Sequence, residues 1–273
     1  MQHQRVRRDR DATHDVMAAP HRFVVKARTT SMALPHPGVT EGSYRTRHRR
    51  QFNPERLAFA RGAQGFTIAT VLLSIFAVLF ALVRTKRSTA IDAAVTLKLQ
   101  RCKEPWFDRL MHVVSWQGFP PQSRLLPPSI ASLLWLTGFR LEAFFQLLAW
   151  GTGGISFTFK RIMRRSRPGP DDDGIRVVVA NIGGSSFPSG HVINYVGVYG
   201  FLSYLAFTWI RPKAIRRAVV GSLLSLIALV GPSRIYLGHH WLTDVLASYT
   251  LGTTYLIALT GVYRKVRMAI VRM

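Results

Sequence analysis

Blocks of apolar residues long enough to cross a bilayer recur along this chain, and they constrain its fold more than any other feature. Phe66–Val83 runs for 18 residues without a charge. A hydrocarbon core of about 30 Å needs about 20 mostly apolar residues in helix. Within that core a helix satisfies its own backbone polar groups, which an isolated strand cannot do. Further blocks follow at Pro127–Phe139, Leu141–Phe159, Val192–Ile210, Ala218–Val230 and Leu242–Val262, the last with Asp244 near its start. The expected fold is all-α, a polytopic membrane helix bundle of about six transmembrane helices occupying residues 62–273.

The net charge of +24 invites a nucleic-acid reading, since basic chains neutralise phosphates. Its distribution argues against one. Much of the excess lies in residues 1–61 and in short loops beside apolar blocks, as the positive-inside bias of membrane proteins requires. Residues 1–61 are polar and Arg-rich, carry Pro20, Pro35, Pro37 and Pro54, and lack sustained apolar periodicity. They read as a basic, flexible cytosolic tail. A cleaved organelle-targeting peptide is the competing reading, and Asp9, Asp11 and Asp15 count against it. The single Cys102 permits no internal disulfide and makes a thiolate metal cluster implausible; no metal or cofactor is expected.

Arg211, Lys213, Arg216 and Arg217 crowd one connection, and Arg264, Lys265, Arg267 and Arg272 crowd the C-terminal end. With an even number of spans the N-terminal tail joins them, so both termini are expected in the cytoplasm. Arg84, Lys86 and Arg87, directly after the first block, fall on the opposite side and disagree with that rule. Ser88–Gln117 is mixed: Ile91, Ala94, Val95 and Leu99 recur at helical spacing, followed by Trp106, Leu110, Val113 and Val114. One or two amphipathic helices at the membrane surface would explain this, as would a loop packed on the bundle. Pro120–Pro121 and Pro127–Pro128 are expected to break the chain before the second span.

Three polar stretches sit at the ends of apolar blocks, all on the non-cytoplasmic side of that arrangement. In the first, Lys160 and Arg167 are seven residues apart, near two helical turns, and Pro168 should end the helix. Two cations at a span tip can clamp phosphate oxygens, or simply anchor the helix at the interface. The simple anchoring role is assigned to Arg161, Arg164 and Arg165. In the second, Pro188-Ser189-Gly190-His191 opens an apolar block. Free N–H groups of a first helical turn bind anions, Gly190 allows close approach, and His191 could protonate a leaving oxygen. A plain helix start with an interfacial histidine is the alternative. In the third, Ser233-Arg234 precedes His240 and Asp244, which are four apart and so adjacent on a helix face. A carboxylate on one imidazole nitrogen leaves the other free as a nucleophile. An ionisable Asp244 inside an apolar block is costly and marks a functional candidate, or else a structural His–Asp tie. His239, five residues from Asp244, is expected to point elsewhere.

Together these stretches resemble the type 2 phosphatidic acid phosphatase superfamily, whose pattern is K-x6-R-P, then P-S-G-H, then S-R-x5-H-x3-D. All three are matched in full, at Lys160–Pro168, Pro188–His191 and Ser233–Asp244. The resemblance covers roughly Phe66–Val262. It implies metal-independent dephosphorylation through a phosphohistidine, with His240 as nucleophile, Asp244 orienting it and His191 as general acid. Lys160, Arg167, Ser189, Gly190 and Arg234 would hold the phosphate oxygens. The implied substrate is a phosphate monoester or diphosphate of a lipid, such as phosphatidic acid or a polyprenyl diphosphate. The implied location is the cell or inner membrane, or the endoplasmic reticulum, with the site on the extracytoplasmic or lumenal side. Soluble haloperoxidases share the superfamily, and the apolar spans argue against that branch. A membrane protein that only binds or transports phospholipid headgroups is the non-enzymatic alternative. The His240–Asp244 pair separates the two, because a binder needs cations but no oriented imidazole.

Overall fold

The gross architecture follows from where the apolar blocks are interrupted. The computed structural model describes residues 54–169, 174–178 and 183–272. The basic tail expected over residues 1–61 lies outside the described residues as far as residue 53, and so does the acidic cluster Asp171–Asp173. Among the described residues every regular element is a helix. They run in the order α1 (Pro54–Arg84), α2 (Thr89–Gln100), α3 (Pro105–Trp116), α4 (Gln122–Leu136), α5 (Arg140–Trp150), α6 (Thr152–Met163), α7 (Gly190–Trp209), α8 (Lys213–Tyr236) and α9 (Leu242–Arg272).

Three of these are long and apolar enough to cross a membrane by themselves: Gly62–Arg84, Lys213–Tyr236 and Leu242–Val271. Two expectations about the others need correction. Pro127 and Pro128 do not break the chain; they lie inside α4. They sit in its second turn, just beyond the first four N–H groups that no helix satisfies internally, so only two intrahelical bonds are forgone. The block Leu141–Phe159 is not one helix either. It divides into α5 and α6 at Gly151, where Gly151 and then Gly153 and Gly154 weaken helical continuity.

α7 is the hub. Val192, Ile193, Tyr195, Val196, Phe201 and Leu205 are all buried. Val192, Tyr195 and Val198 pack with Val230 and Ile235 of α8, Val245 of α9 and Val114 of α3. Further along, Phe201 and Leu205 join Phe145 and Ala149 of α5 with Leu259 and Tyr263 of α9. The approach of α7 to the α5–α6 junction is close enough to require a glycine. A Cβ on Gly197 would collide with the Ala149 carbonyl oxygen and press on the Thr152 side chain. On the outside, α1 exposes Phe66, Ile68, Val71 and Val78, and α4 exposes Leu133, Trp135 and Leu136. Apolar surface of that extent suits lipid, not water.

α2 and α3 correspond to the mixed stretch Ser88–Gln117. Trp106 and Trp116 are exposed, whereas Asp92 and Ser115 are fully buried. Both helices therefore reach into the bundle as well as covering it, and Phe107 of α3 packs edge-on against Tyr236 of α8.

Candidate active site

The start of α9 organises the site. Asp244 lies in its first turn, and its Oδ2 accepts a hydrogen bond from the Trp241 backbone N–H at 3.0 Å. This is the reaching-back half of a capping box, which satisfies a donor the helix leaves open. Asp92 of α2 serves the same helix end from another element. It accepts from the Thr243 N–H and from Thr243 Oγ1, each at 2.9 Å. The beginning of α9 is thus pinned by two carboxylates, both 0 % exposed.

Arg165 ties the two carboxylates together. Its guanidinium reaches Asp92 Oδ2 and Asp244 Oδ1, both at 2.6 Å, and also donates to Thr243 Oγ1 at 2.8 Å. The sequence reading assigned Arg165 to interfacial anchoring, and the structure corrects that. It also corrects the helix register. α6 ends at Met163, Arg164 adopts a left-handed backbone, and residues 165–168 are not helical. Lys160 and Arg167 therefore share no helix face. They meet instead through a common acceptor: the Ser185 carbonyl takes a hydrogen bond from Lys160 Nζ at 2.6 Å and from Arg167 Nη2 at 3.4 Å.

His240 stands one residue before the N-cap of α9, not on the helix with Asp244. Its Nδ1 lies 3.5 Å from Asp244 Oδ2, too long for a well-formed hydrogen bond. Its Nε2 is 3.1 Å from Arg167 Nη1. A guanidinium can only donate, so Nε2 carries the lone pair and the ring proton sits on Nδ1, toward Asp244. Burial, and then the charges of Arg167 and Arg234, push the His240 imidazole well below its ordinary pKa. A buried, neutral imidazole with its lone pair directed at a cluster of cations is a competent nucleophile.

Ser189 and Gly190 open α7, with Ser189 as the N-cap residue and no cap bond from its side chain. Pro188 precedes the cap. His191 is the second residue of α7, and Arg234, His240, His239 and Arg167 are all within electrostatic reach of it. Arg234 is 1 % exposed and is held from α3, donating through Nη1 to Ser115 Oγ at 2.6 Å and lying over the Phe119 ring at 4.8 Å. Phe119 also touches the His191 ring edge-on, at 4.7 Å between centroids. Gly118 lies so close to His191 that a Cβ there would occupy the ring's place.

Several buried polar atoms in this cluster have no partner: Arg167 Nε, Arg234 Nε, Ser189 Oγ and His191 Nε2. Buried donors are normally satisfied. Arg167, Arg234, Lys160 and His191 all lie within electrostatic reach of His240, beside the opening turn of α7, an arrangement that could serve as a cradle for a tetrahedral anion. The structure brings Lys160, Arg167, His191, Arg234, His240 and Asp244 together, with Ser189 and Gly190 opening α7 beside them. Asp92, Arg165, Ser115 and Phe119 were missed. The signal available for Asp92 was a carboxylate on the helical face it shares with Val95, Thr96 and Leu99, not on that of the exposed Ile91. His239 is buried too, with both ring nitrogens unpartnered and a pKa lowered to about 3 by burial and then by Arg234 and Arg167. Its ring packs against Phe119 and reaches no carboxylate.

Comparison with known proteins adds four findings. The family model of the PAP2 superfamily matches residues 142–268, a span that holds all three polar stretches. Phosphatidylglycerophosphatase B of Bacillus subtilis (strain 168) is 27 % identical over 200 residues, 72 % of this chain and 95 % of that protein. Among solved structures, the transmembrane PAP2 type phosphatidylglycerolphosphate phosphatase from Bacillus subtilis superposes with a TM-score of 0.63 at 25 % identity, covering 72 % of this chain and 96 % of that one. Aquifex aeolicus LpxE shares the fold, with a TM-score of 0.51 at 18 % identity over 62 % of this chain and 94 % of its own.

Proposed function

We propose that this chain is a member of the PAP2 superfamily and an integral membrane phosphatase that hydrolyses a phosphate monoester or removes the terminal phosphate of a lipid diphosphate. The observation that carries the reading is the neutral His240 Nε2 turned toward Arg167, with Arg234, Lys160 and His191 within electrostatic reach and buried donors of Arg167 and Arg234 left without a partner. A binding protein needs the cations. It has no use for a neutral imidazole whose lone pair is turned toward those cations with a carboxylate behind the ring.

In the proposed reaction His240 Nε2 attacks phosphorus in line as the bond from phosphorus to the lipid oxygen breaks. Asp244 favours the ring as it becomes positively charged. His191 gives its proton to the departing oxygen, and the lipid leaves as an alcohol or a shortened phosphate. Water then attacks the phosphohistidine, losing its proton to His191, and inorganic phosphate departs. Lys160, Arg167, Arg234, Ser189 and the Gly190 N–H hold the three oxygens that carry the charge. Phosphoryl transfer asks for this kind of positioning and charge stabilisation. The cradle's carboxylate, Asp244, is already engaged by Arg165 and the Trp241 N–H, so the phosphate charge is met by cationic side chains and amides.

The name of the Bacillus subtilis relative supports a phosphorylated glycerolipid as substrate, with phosphatidylglycerophosphate and phosphatidic acid as first candidates. The basic connection Arg211–Arg217 joins the far end of α7 to α8, away from the site, which supports a cytoplasmic placement of that connection. The site would then face the extracytoplasmic or lumenal leaflet. Purified protein assayed with a panel of lipid phosphates in detergent and chelator tests the reading. Release of phosphate that resists chelation and is blocked by vanadate is the expected result. Activity that disappears in chelator and returns with magnesium would overturn the metal-independent mechanism, and headgroup binding without hydrolysis would leave the binder.

A further inference from the structure

Beside the cradle, across the segment that carries Arg165, lies a second pocket. It has a volume of about 590 Å³ and is walled by Val83, Met163 and Trp241, with Arg84, Lys86, Arg164 and Arg165 around it. None of Lys160, Arg167, His191, Arg234 or His240 lines it. Asp92 is its one carboxylate, and that group is already engaged by Arg165 and Thr243. Among the described residues Arg84, Lys86 and Arg164 form no ion pair. Among the described residues, three cations therefore line this pocket without an ion-pair partner.

The backbone is unusual at the same place. Among the described residues only Lys86 (φ 58°) and Arg164 (φ 48°) adopt a left-handed conformation without being glycine. Each such residue costs on the order of 1 kcal/mol or more, and such conformations gather at ligand clamps. Both line this pocket, and both are basic. Their position also accounts for the charges that contradict the positive-inside pattern, since Arg84 and Lys86 end the first span on the side of the cradle. Leu82 and Ile162 are exposed and adjoin the lining residues in sequence, continuing the apolar outer surface up to the pocket's rim.

We propose that this pocket is a second, non-catalytic site for the phosphate group of an anionic membrane lipid, whose tails lie along the outer faces of α1 and α6. A free phosphate ion would satisfy the same cations. The apolar wall and the lipid-facing rim favour the headgroup of a lipid such as phosphatidylglycerol, whose phosphodiester is not a substrate for the proposed monoesterase. Arg165 belongs to both sites, since the guanidinium that lines the pocket also holds Asp244.

The test uses full-length protein in phosphatidylcholine nanodiscs containing a minor fraction of phosphatidylglycerol, with retained lipid counted by native mass spectrometry. It needs no turnover, so it succeeds or fails apart from the catalytic reading. Wild-type protein should retain phosphatidylglycerol in preference to phosphatidylcholine. The triple variant R84Q/K86Q/R164Q should retain it at least about tenfold less, given the usual attraction of each cation to anionic lipid. Thr89→Trp, which fills the pocket from its rim and leaves every charge in place, should also lose the lipid while keeping the wild-type melting temperature. Wild-type retention by both variants would overturn the site. Displacement of the lipid by millimolar inorganic phosphate would overturn the lipid as its ligand.

Discussion

Two polar clusters lie at the two ends of α9, and they are built from similar residues to opposite effect. At the far end Glu142 accepts from Tyr263 Oη at 2.7 Å and from Arg267 at 3.1 Å, while Arg267 also contacts the Tyr263 hydroxyl. One carboxylate, one phenol and one guanidinium satisfy one another there, and the charges cancel. At the near end, some 19 residues earlier and so about 30 Å away along the helix, Asp92, Arg165 and Asp244 form a comparable closed set. Beyond that set stand Lys160, Arg167 and Arg234, which form no ion pair among the described residues, and Arg167 Nε and Arg234 Nε are left without a partner. The difference teaches where to look for function. A polar network that closes on itself fastens helices together, whereas one with surplus buried donors is built around something absent from the polypeptide.

The largest effect expected from this contrast is at His240. His240→Asn should lower turnover by at least about 10⁴-fold, as loss of a nucleophile does. Glu142→Gln, at the closed cluster, should leave kcat/KM of the folded protein near wild type; a comparable loss there would break the contrast. Next is the fastening of Asp244. Asp92→Asn leaves every cradle residue in place but loosens Arg165 and the α9 cap, so kcat should fall about 10- to 100-fold with KM little changed. A rise in KM alone would assign Asp92 to binding instead.

A smaller effect concerns pH. An imidazole of ordinary pKa would be largely protonated at pH 5.5, costing about tenfold in nucleophile. His240 is pushed well below that value by burial and then by Arg167 and Arg234, so its neutral form persists as pH falls. With the substrate's own ionisation divided out, kcat/KM on a nitrophenyl phosphate should fall clearly less than tenfold between pH 7.5 and pH 5.5. A full tenfold loss centred near 6.5 would contradict the low pKa. The smallest effect is at Tyr263. Tyr263→Phe removes one hydrogen bond from the closed cluster and should cost about 1 kcal/mol of stability, read as a lower melting temperature, with kcat unchanged.

The helical class and the residues that meet near His240 were legible in the sequence because their determinants are local. Apolar runs mark helices, and Lys160, Arg167, His191, Arg234, His240 and Asp244 stand at the ends of such runs. How they meet was not legible. Periodicity suggested that Lys160 and Arg167 share a helix face, yet the left-handed Arg164 ends α6 early and the two converge on the Ser185 carbonyl instead. Arg165 looked like one more interfacial cation among Arg161 and Arg164. Its role depends on Asp92, 73 residues earlier, and on Asp244, 79 residues later, and no local pattern encodes such pairings. The division of Leu141–Phe159 was hidden for a related reason. Glycines inside an apolar block are common in membrane helices, and only the packing of Gly197 against Ala149 and Thr152 shows where this one turns.

The central claim is that His240 carries the phosphoryl group between lipid and water. A single turnover with substrate labelled in the scissile phosphate, quenched in alkaline denaturant where phosphohistidine survives, tests it directly. Wild-type protein should retain label covalently, and peptide mapping should place it on His240. His240→Asn should retain none, whereas His239→Ala should retain it. Label that persists in His240→Asn and vanishes in His239→Ala would contradict the account and move the nucleophile to the neighbouring ring.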